Sequence, residues 1–168
     1  MAITTEFTLQ AINAAAGKKG FSSDLLGDLA IIPFDFVQSA AAGDIGSFIL
    51  LFKDQYPTIP AGRWWFYGAL SLLTCDAFGA ARTLDFGWDA YVGEDGVAVV
   101  ADDNGLDDNI DVAAAKTANT LGTSLAAGTG RRQLFSSKTG VNLRFTVAGG
   151  TIPAATKVNG HLALVRAA

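Results

Sequence analysis

Short runs of β-branched and aromatic residues, broken by Gly-rich or acidic punctuation, dominate the chain from Leu29 onward. Ala30 to Val37 is one such run, and Pro33 inside it confines it to a sheet edge or a strand start. Gly46 to Lys53 has the length of a buried strand. Arg63 to Tyr67 and Ala69 to Thr74 follow the turn at 56–62. Arg82 to Val92 alternates, with Leu84, Phe86, Trp88 and Ala90 on one face and Thr83, Asp85, Asp89 and Tyr91 on the other. Gly96 to Val100 reads as a further short strand, Ala101 to Asp111 as an acidic loop, and Val112 to Thr123 as holding one helical turn.

Arg131 to Phe135, Val141 to Val147 and Lys157 to Arg166 are expected to close the chain as strands. The first two are expected to form a hairpin through Ser136 to Gly140. Thr-Ile-Pro-Ala occurs at 58–61 and again at 151–154, each time leading into a strand, because proline presets φ for a corner. Regular strand spacing without a helical period predicts an all-β chain, a single β-sandwich or jelly-roll-like domain over 29–168. Residues 1–28 lack the pattern and read as an N-terminal arm.

Composition narrows the class. Half of the 168 residues are hydrophobic and 17% are charged, which excludes a disordered chain. Cys75 is the single cysteine, so a disulfide scaffold is excluded and a reducing compartment, most simply a cytoplasm, is expected. No secretory leader and no membrane span are expected. The net charge of −4 argues against sequence-independent nucleic-acid binding.

That charge is segregated. Thr83 to Ala115 holds nine acids and no Lys or Arg, while Lys116 to the end holds seven bases and no acid. Such asymmetry fits either neighbouring strands within one subunit or complementary surfaces between subunits.

Candidate chemistry is sparse. Nucleophilic catalysis would have to run through His161, the only histidine, which alternation places with Ala163 and Val165 in a structural or surface role. Cys75 sits in an apolar run that reads as core. Asp102 to Asp111 invites calcium, but from Asp103 the glycine position of an EF-hand loop is Asp108 and the closing Glu position is Ala114. Gly17-Lys18-Lys19 lacks the rest of a phosphate loop. Neither a cofactor nor a catalytic or metal site is expected.

The cluster Trp64-Trp65-Phe66-Tyr67 must split between two strand faces, Trp64 and Phe66 against Trp65 and Tyr67. One pair fills the core, and the other serves sheet packing, a subunit interface or a platform for sugar rings. Positive mean hydropathy, low charge and surplus aromatics point to a chain that is not a monomer.

The segments Ala80 to Tyr91 (AARTLDFGWDAY) and Val147 to Val165 (VAGGTIPAATKVNGHLALV) resemble small virion structural proteins of tailed bacteriophages and prophages. The similarity covers about residues 30–166, and His161 stands where an aromatic is commoner in that group. The resemblance implies a non-enzymatic capsid decoration protein, a homotrimer on the virion surface, made in the bacterial host cytoplasm. Its partners would be further copies of itself and the major capsid protein, with neither nucleic acid nor membrane. The Trp64 to Tyr67 cluster has no match in that group; from the residues themselves, the expected contact residues are Trp64, Trp65 and Tyr67 on the body and Lys18, Lys19 and Phe21 on the arm. The alternative is a carbohydrate-binding module of a tail or fibre built on Trp64 to Tyr67.

Overall fold

Alternation is the rule that shapes the chain, and it is visible in β1 (Leu29–Val37). Ala30, Ile32 and Phe34 point inward and are buried, while Ile31 between them is 43% exposed. The computed structural model describes residues 29–39, 43, 45–51 and 57–167; the expected arm at 1–28, with Lys18, Lys19 and Phe21, lies outside the described residues. The other strands are β2 (Phe48–Leu50), β3 (Gly62–Tyr67), β4 (Leu72–Cys75), β5 (Thr83–Trp88), β6 (Tyr91–Val92) and β7 (Ala98–Val99). They continue with β8 (Asp102–Asp111), β9 (Lys116–Thr120), β10 (Arg132–Ser137), β11 (Leu143–Ala148) and β12 (Lys157–Arg166).

Two sheets face each other. In the first, β12 is flanked on one side by β1 and on the other by β3 and β4, which lie end to end along it. Beyond them, β10 pairs with β3 and β9 with β4. The second sheet runs β2-β11-β5-β8. Counting β3 with β4 and β9 with β10 as single positions leaves eight, ordered 1-8-3-6 against 2-7-4-5. Position 1 pairs with 8, 2 with 7, 3 with 6 and 4 with 5, all antiparallel. A long hairpin rolled up on itself gives this order, which is the jelly roll.

Phenylalanines fill the space between the sheets. Phe86 stacks on Phe145 at 4.6 Å within the second sheet, and Phe66 and Phe34 of the first sheet approach them at 5.8 and 5.9 Å. Phe66, Phe86, Phe135 and Phe145 are fully buried, each such burial being worth about 1.5–3 kcal/mol. Tilted and edge-on ring pairs add about 0.5–1.5 kcal/mol apiece.

Several expectations need correction. Ala101 to Asp111 is not a loop: Asp102 to Asp111 is β8, the outer strand of the second sheet. Two register shifts against β5, with Asn109 at φ 55, break its alternation, so it reads as irregular. An edge strand gains from this acid content and bulging, which discourage pairing with another chain. Lys116 to Thr120 forms β9 where a helical turn was expected. The stretch around Arg131 to Val147 is not a hairpin, because β10 lies in the first sheet and β11 in the second.

The connection between them is a corner. Ser137 Oγ accepts the Gly140 amide at 3.0 Å and donates to its carbonyl at 2.9 Å, and Gly140 stands at φ 95 with no room for a Cβ beside Pro57. Arg82 to Val92 is likewise two strands, β5 and β6, and a 3-10 turn at Gly68–Leu70 precedes β4. Both Thr-Ile-Pro-Ala turns are seated by isolated bridges, Ile59 to Val141 and Ile152 to Gly43. Pro33 falls within β1, an edge strand.

One buried carboxylate closes the side of the sandwich. Asp107 on β8 is fully buried and accepts the amides of Gly122 and Thr123 at 2.5 and 2.6 Å and the Thr123 hydroxyl. It thereby fastens the 121–131 excursion, which joins β9 to β10, onto the edge of the opposite sheet. Burial raises the Asp107 pKa above its ordinary 3.8, outweighing the hydrogen bonds from Thr123 and Gly122, which lower it.

Two predictions follow from this packing. A Cβ at Gly87 would drive into the backbone of Asp102 and Asp103, so Gly87→Ala should cost about 3 kcal/mol in denaturant unfolding. Asp107→Asn should cost about 2 kcal/mol at neutral pH, because the amide turns a donor toward backbone N–H groups. With its folded pKa raised, Asp107 contributes stability that is full below pH 3.8 and is lost as pH rises through the folded value. The wild-type advantage over Asp107→Asn should therefore widen on acidification from pH 7 toward 4, as read by unfolding at each pH. A narrowing would contradict the assignment.

Candidate assembly surfaces

Alternation along β3 divides the aromatic cluster as the strand period requires. Trp64 and Phe66 turn inward: Phe66 is fully buried, and Trp64 packs against the core with its Nε1 donating to the Ala61 carbonyl at 3.3 Å. Trp65 and Tyr67 lie on the outer side. Cross-strand register places Trp65 opposite Val165 on β12 and Leu134 on β10, and Val165 opposite Leu29 on β1. Leu29, Val165, Trp65 and Leu134 thus form one apolar rung across the outside of the first sheet, all half-buried. Ile31, 43% exposed, stands beside Ala163 one rung further on. The Arg132 guanidinium lies 4.8 Å over the Trp65 ring, a cation–π contact that occupies one indole face.

A second apolar surface sits on the connection between β5 and β8. There β6 and β7 pair as a hairpin whose turn is closed by the Gly96 amide on the Gly93 carbonyl at 2.9 Å. Val92, Val97 and Val100 on or beside it are 41, 61 and 78% exposed. The hairpin is pinned to the body along its length. The Val92 carbonyl accepts from the Lys138 amide at 3.1 Å and lies 3.2 Å from Ser137 Oγ. Ser136 Oγ donates to Glu94, and Trp88 Nε1 donates to the Val100 carbonyl. Tyr91 packs its ring 6.2 Å from Phe135, and burial pushes its hydroxyl pKa up. The valines therefore cannot fold back into the core, and Glu94 and Asp95 beside them are exposed.

The segregated charge is distributed over several contacts. Acidic β8 pairs with β5, which carries Asp85, and with no basic strand. Arg144 on β11 joins acidic and basic segments by contacting both Asp89 and Asp103, the latter at 2.5 Å, with its guanidinium 3.8 Å over Phe48. Lys116 reaches Asp111 at 4.0 Å. Asp85 and Ser124 accept the Asn109 and Asp108 amides, so part of the acidic strand is engaged locally.

His161 lies on the outer side of β12, its Nε2 3.1 Å from the Leu70 carbonyl. Cys75 is buried, and burial raises its pKa. Among the described residues, no group of three or more His, Cys, Asp and Glu is placed to hold a metal ion. Also among them, no helix is long and apolar enough to cross a membrane.

Sequence reasoning missed the valine hairpin, reading its second arm as a plain strand. Its signal was the pair Gly93 and Gly96 around two acids, which marks a tight turn. Asp107 was hidden in a run of acids from which composition cannot single it out.

No protein-family model matches the chain, and no curated protein does. Among solved structures it is similar to that of the infectious bursal disease virus Gx strain, at 15% identity and a TM-score of 0.43, over 82% of this chain and 32% of that one. The Gt strain gives 15% and 0.43, over 80% and 32%, and the VP2 subviral particle of the same virus gives 12% and 0.41, over 81% and 33%. The chain spans about a third of the length of these proteins.

Proposed function

We propose that this chain is a non-enzymatic virion structural protein, a capsid decoration protein that sits on the head lattice as a homotrimer and contacts the major capsid protein. The observation that carries the reading is the pinned hairpin with Val92, Val97 and Val100 exposed at one end of the sandwich. Apolar side chains held out on a preorganised element lose little entropy when a partner covers them, which is what a lattice contact requires. Charged neighbours Glu94 and Asp95 would set orientation and steer encounter. The jelly roll supplies a sandwich body closed by aromatic packing, and the sequence resemblance to phage virion proteins points the same way. A sugar platform on Trp65 is disfavoured because Arg132 already lies over the indole.

Light scattering of the full chain should give a mass near three times 17.4 kDa. In co-sedimentation with heads stripped of the protein, the wild type should bind, while Val97→Asp and Val100→Asp should weaken binding roughly tenfold or more with unchanged melting temperature. A monomeric mass together with equal binding by the variants would reject the reading.

A further inference from the structure

Asn followed by Gly is the pair at which a chain most readily modifies itself, because glycine has no Cβ to shield the Asn carboxamide from the next amide nitrogen. The pair occurs at Asn104-Gly105 and at Asn159-Gly160, and the fold sets the two in opposite surroundings. Asn159 lies in β12 inside the first sheet, opposite Asp35 of β1 on one side and Thr74 of β4 on the other. Asn104 is exposed on β8, the outer strand of the second sheet. We propose that Asn104 is a self-modification site, converted through a cyclic imide to aspartate and isoaspartate, while its ladder holds Asn159 inert.

Register is the first support. Between the pairs Phe86–Asp107 and Trp88–Asp102, β5 supplies Gly87 alone and β8 supplies residues 103–106, so this stretch bulges off the ladder. The Asn104 amide turns back onto Asp102 Oδ1 at 3.3 Å, which curls the bulge. Packing is the second support, because it dictates glycine at 105: a Cβ there would collide with the Trp88 ring. Ring closure requires the Asn ψ to leave the extended value of about +135°. At Asn104 that rotation disturbs only a bulged edge. At Asn159 it would break pairing with two strands, and Gly160 is wedged so closely against the Leu72 carbonyl that a Cβ would strike it.

In the reaction the Gly105 amide nitrogen gives its proton to hydroxide and bonds to Asn104 Cγ, and the carboxamide nitrogen leaves as ammonia. Water then opens the imide at either carbonyl, leaving aspartate or an isoaspartyl link. Nothing is oxidised or reduced, and solvent water is the co-reactant. Each event adds a negative charge next to Asp103, the acid that Arg144 contacts at 2.5 Å. The proposal does not rest on the virion reading, which concerns the valine hairpin.

Peptide mapping by mass spectrometry, on the purified full chain incubated at mildly alkaline pH, tests it. The Asn104 peptide should gain the mass difference between amide and acid at least about tenfold faster than the Asn159 peptide, and in urea the two rates should converge. The Asn104 peptide should also accept methyl groups from protein isoaspartate methyltransferase. Asn104→Gln, whose longer side chain closes its ring far more slowly, should remove that labelling and leave the melting temperature unchanged. Asn104 left intact in the folded chain over the time in which both sites convert in urea would overturn the proposal. So would conversion of Asn159 as fast as Asn104 in the folded chain.

Discussion

The stack of Phe86 on Phe145, with Phe66 and Phe34 closing on it from the other sheet, is the contact on which the rest of the molecule depends. These four rings come from β5, β11, β3 and β1, elements far apart in sequence, and they meet only if the chain has rolled up correctly. Once they meet, the side chains between them and the solvent are assigned. Inward positions must be apolar, outer-edge strands must be protected, and the connections gather at two ends. The hairpin of β6 and β7 lies at one end beside the corner at Ser137 to Gly140. The other end joins the region of Gly43 to Ile152.

Edge protection explains features that otherwise look unrelated. β8 is an open edge, and its acids, bulges and the Asp107 clasp keep it from templating another strand. β1 is the edge of the other sheet and carries Pro33, which cannot donate a ladder hydrogen bond. The excursion at 121–131 bridges from the first sheet to β8, so the open side of the sandwich is shut by a polar clasp and the interior by aromatic packing. The apolar residues left outside, on the first sheet and on the valine hairpin, cannot turn inward without breaking the register that holds them.

Much of this was legible in the residues. The all-β class and the division of Trp64 and Phe66 from Trp65 and Tyr67 follow from strand period, and Pro33, which lacks an N–H and so reads as an edge or strand-start residue, falls within edge strand β1. The paired Thr-Ile-Pro-Ala corners were legible as turns, though not as the bridges at Ile59 and Ile152. What misled was local. β8 hides its period behind two bulges, and a run of Asp and Asn looks like a loop because both residues have low strand propensity. The turn at 136–140 has hairpin chemistry, yet a side-chain cap from Ser137 and the left-handed Gly140 send the chain to the opposite sheet. Sheet membership is a long-range property that neighbouring residues do not encode. The valine hairpin was obscured for the opposite reason: its exposed valines look like core when only their type is known.

On the proposed reading, the valine-hairpin end of this jelly roll is the surface committed to assembly. Electron cryomicroscopy of particles carrying the protein, at a resolution that separates strands, tests it most directly. Jelly-roll bodies should stand on the head surface with Val92, Val97 and Val100 buried against neighbouring protein. Bodies oriented with that hairpin facing solvent, or heads without density for the chain, would contradict it.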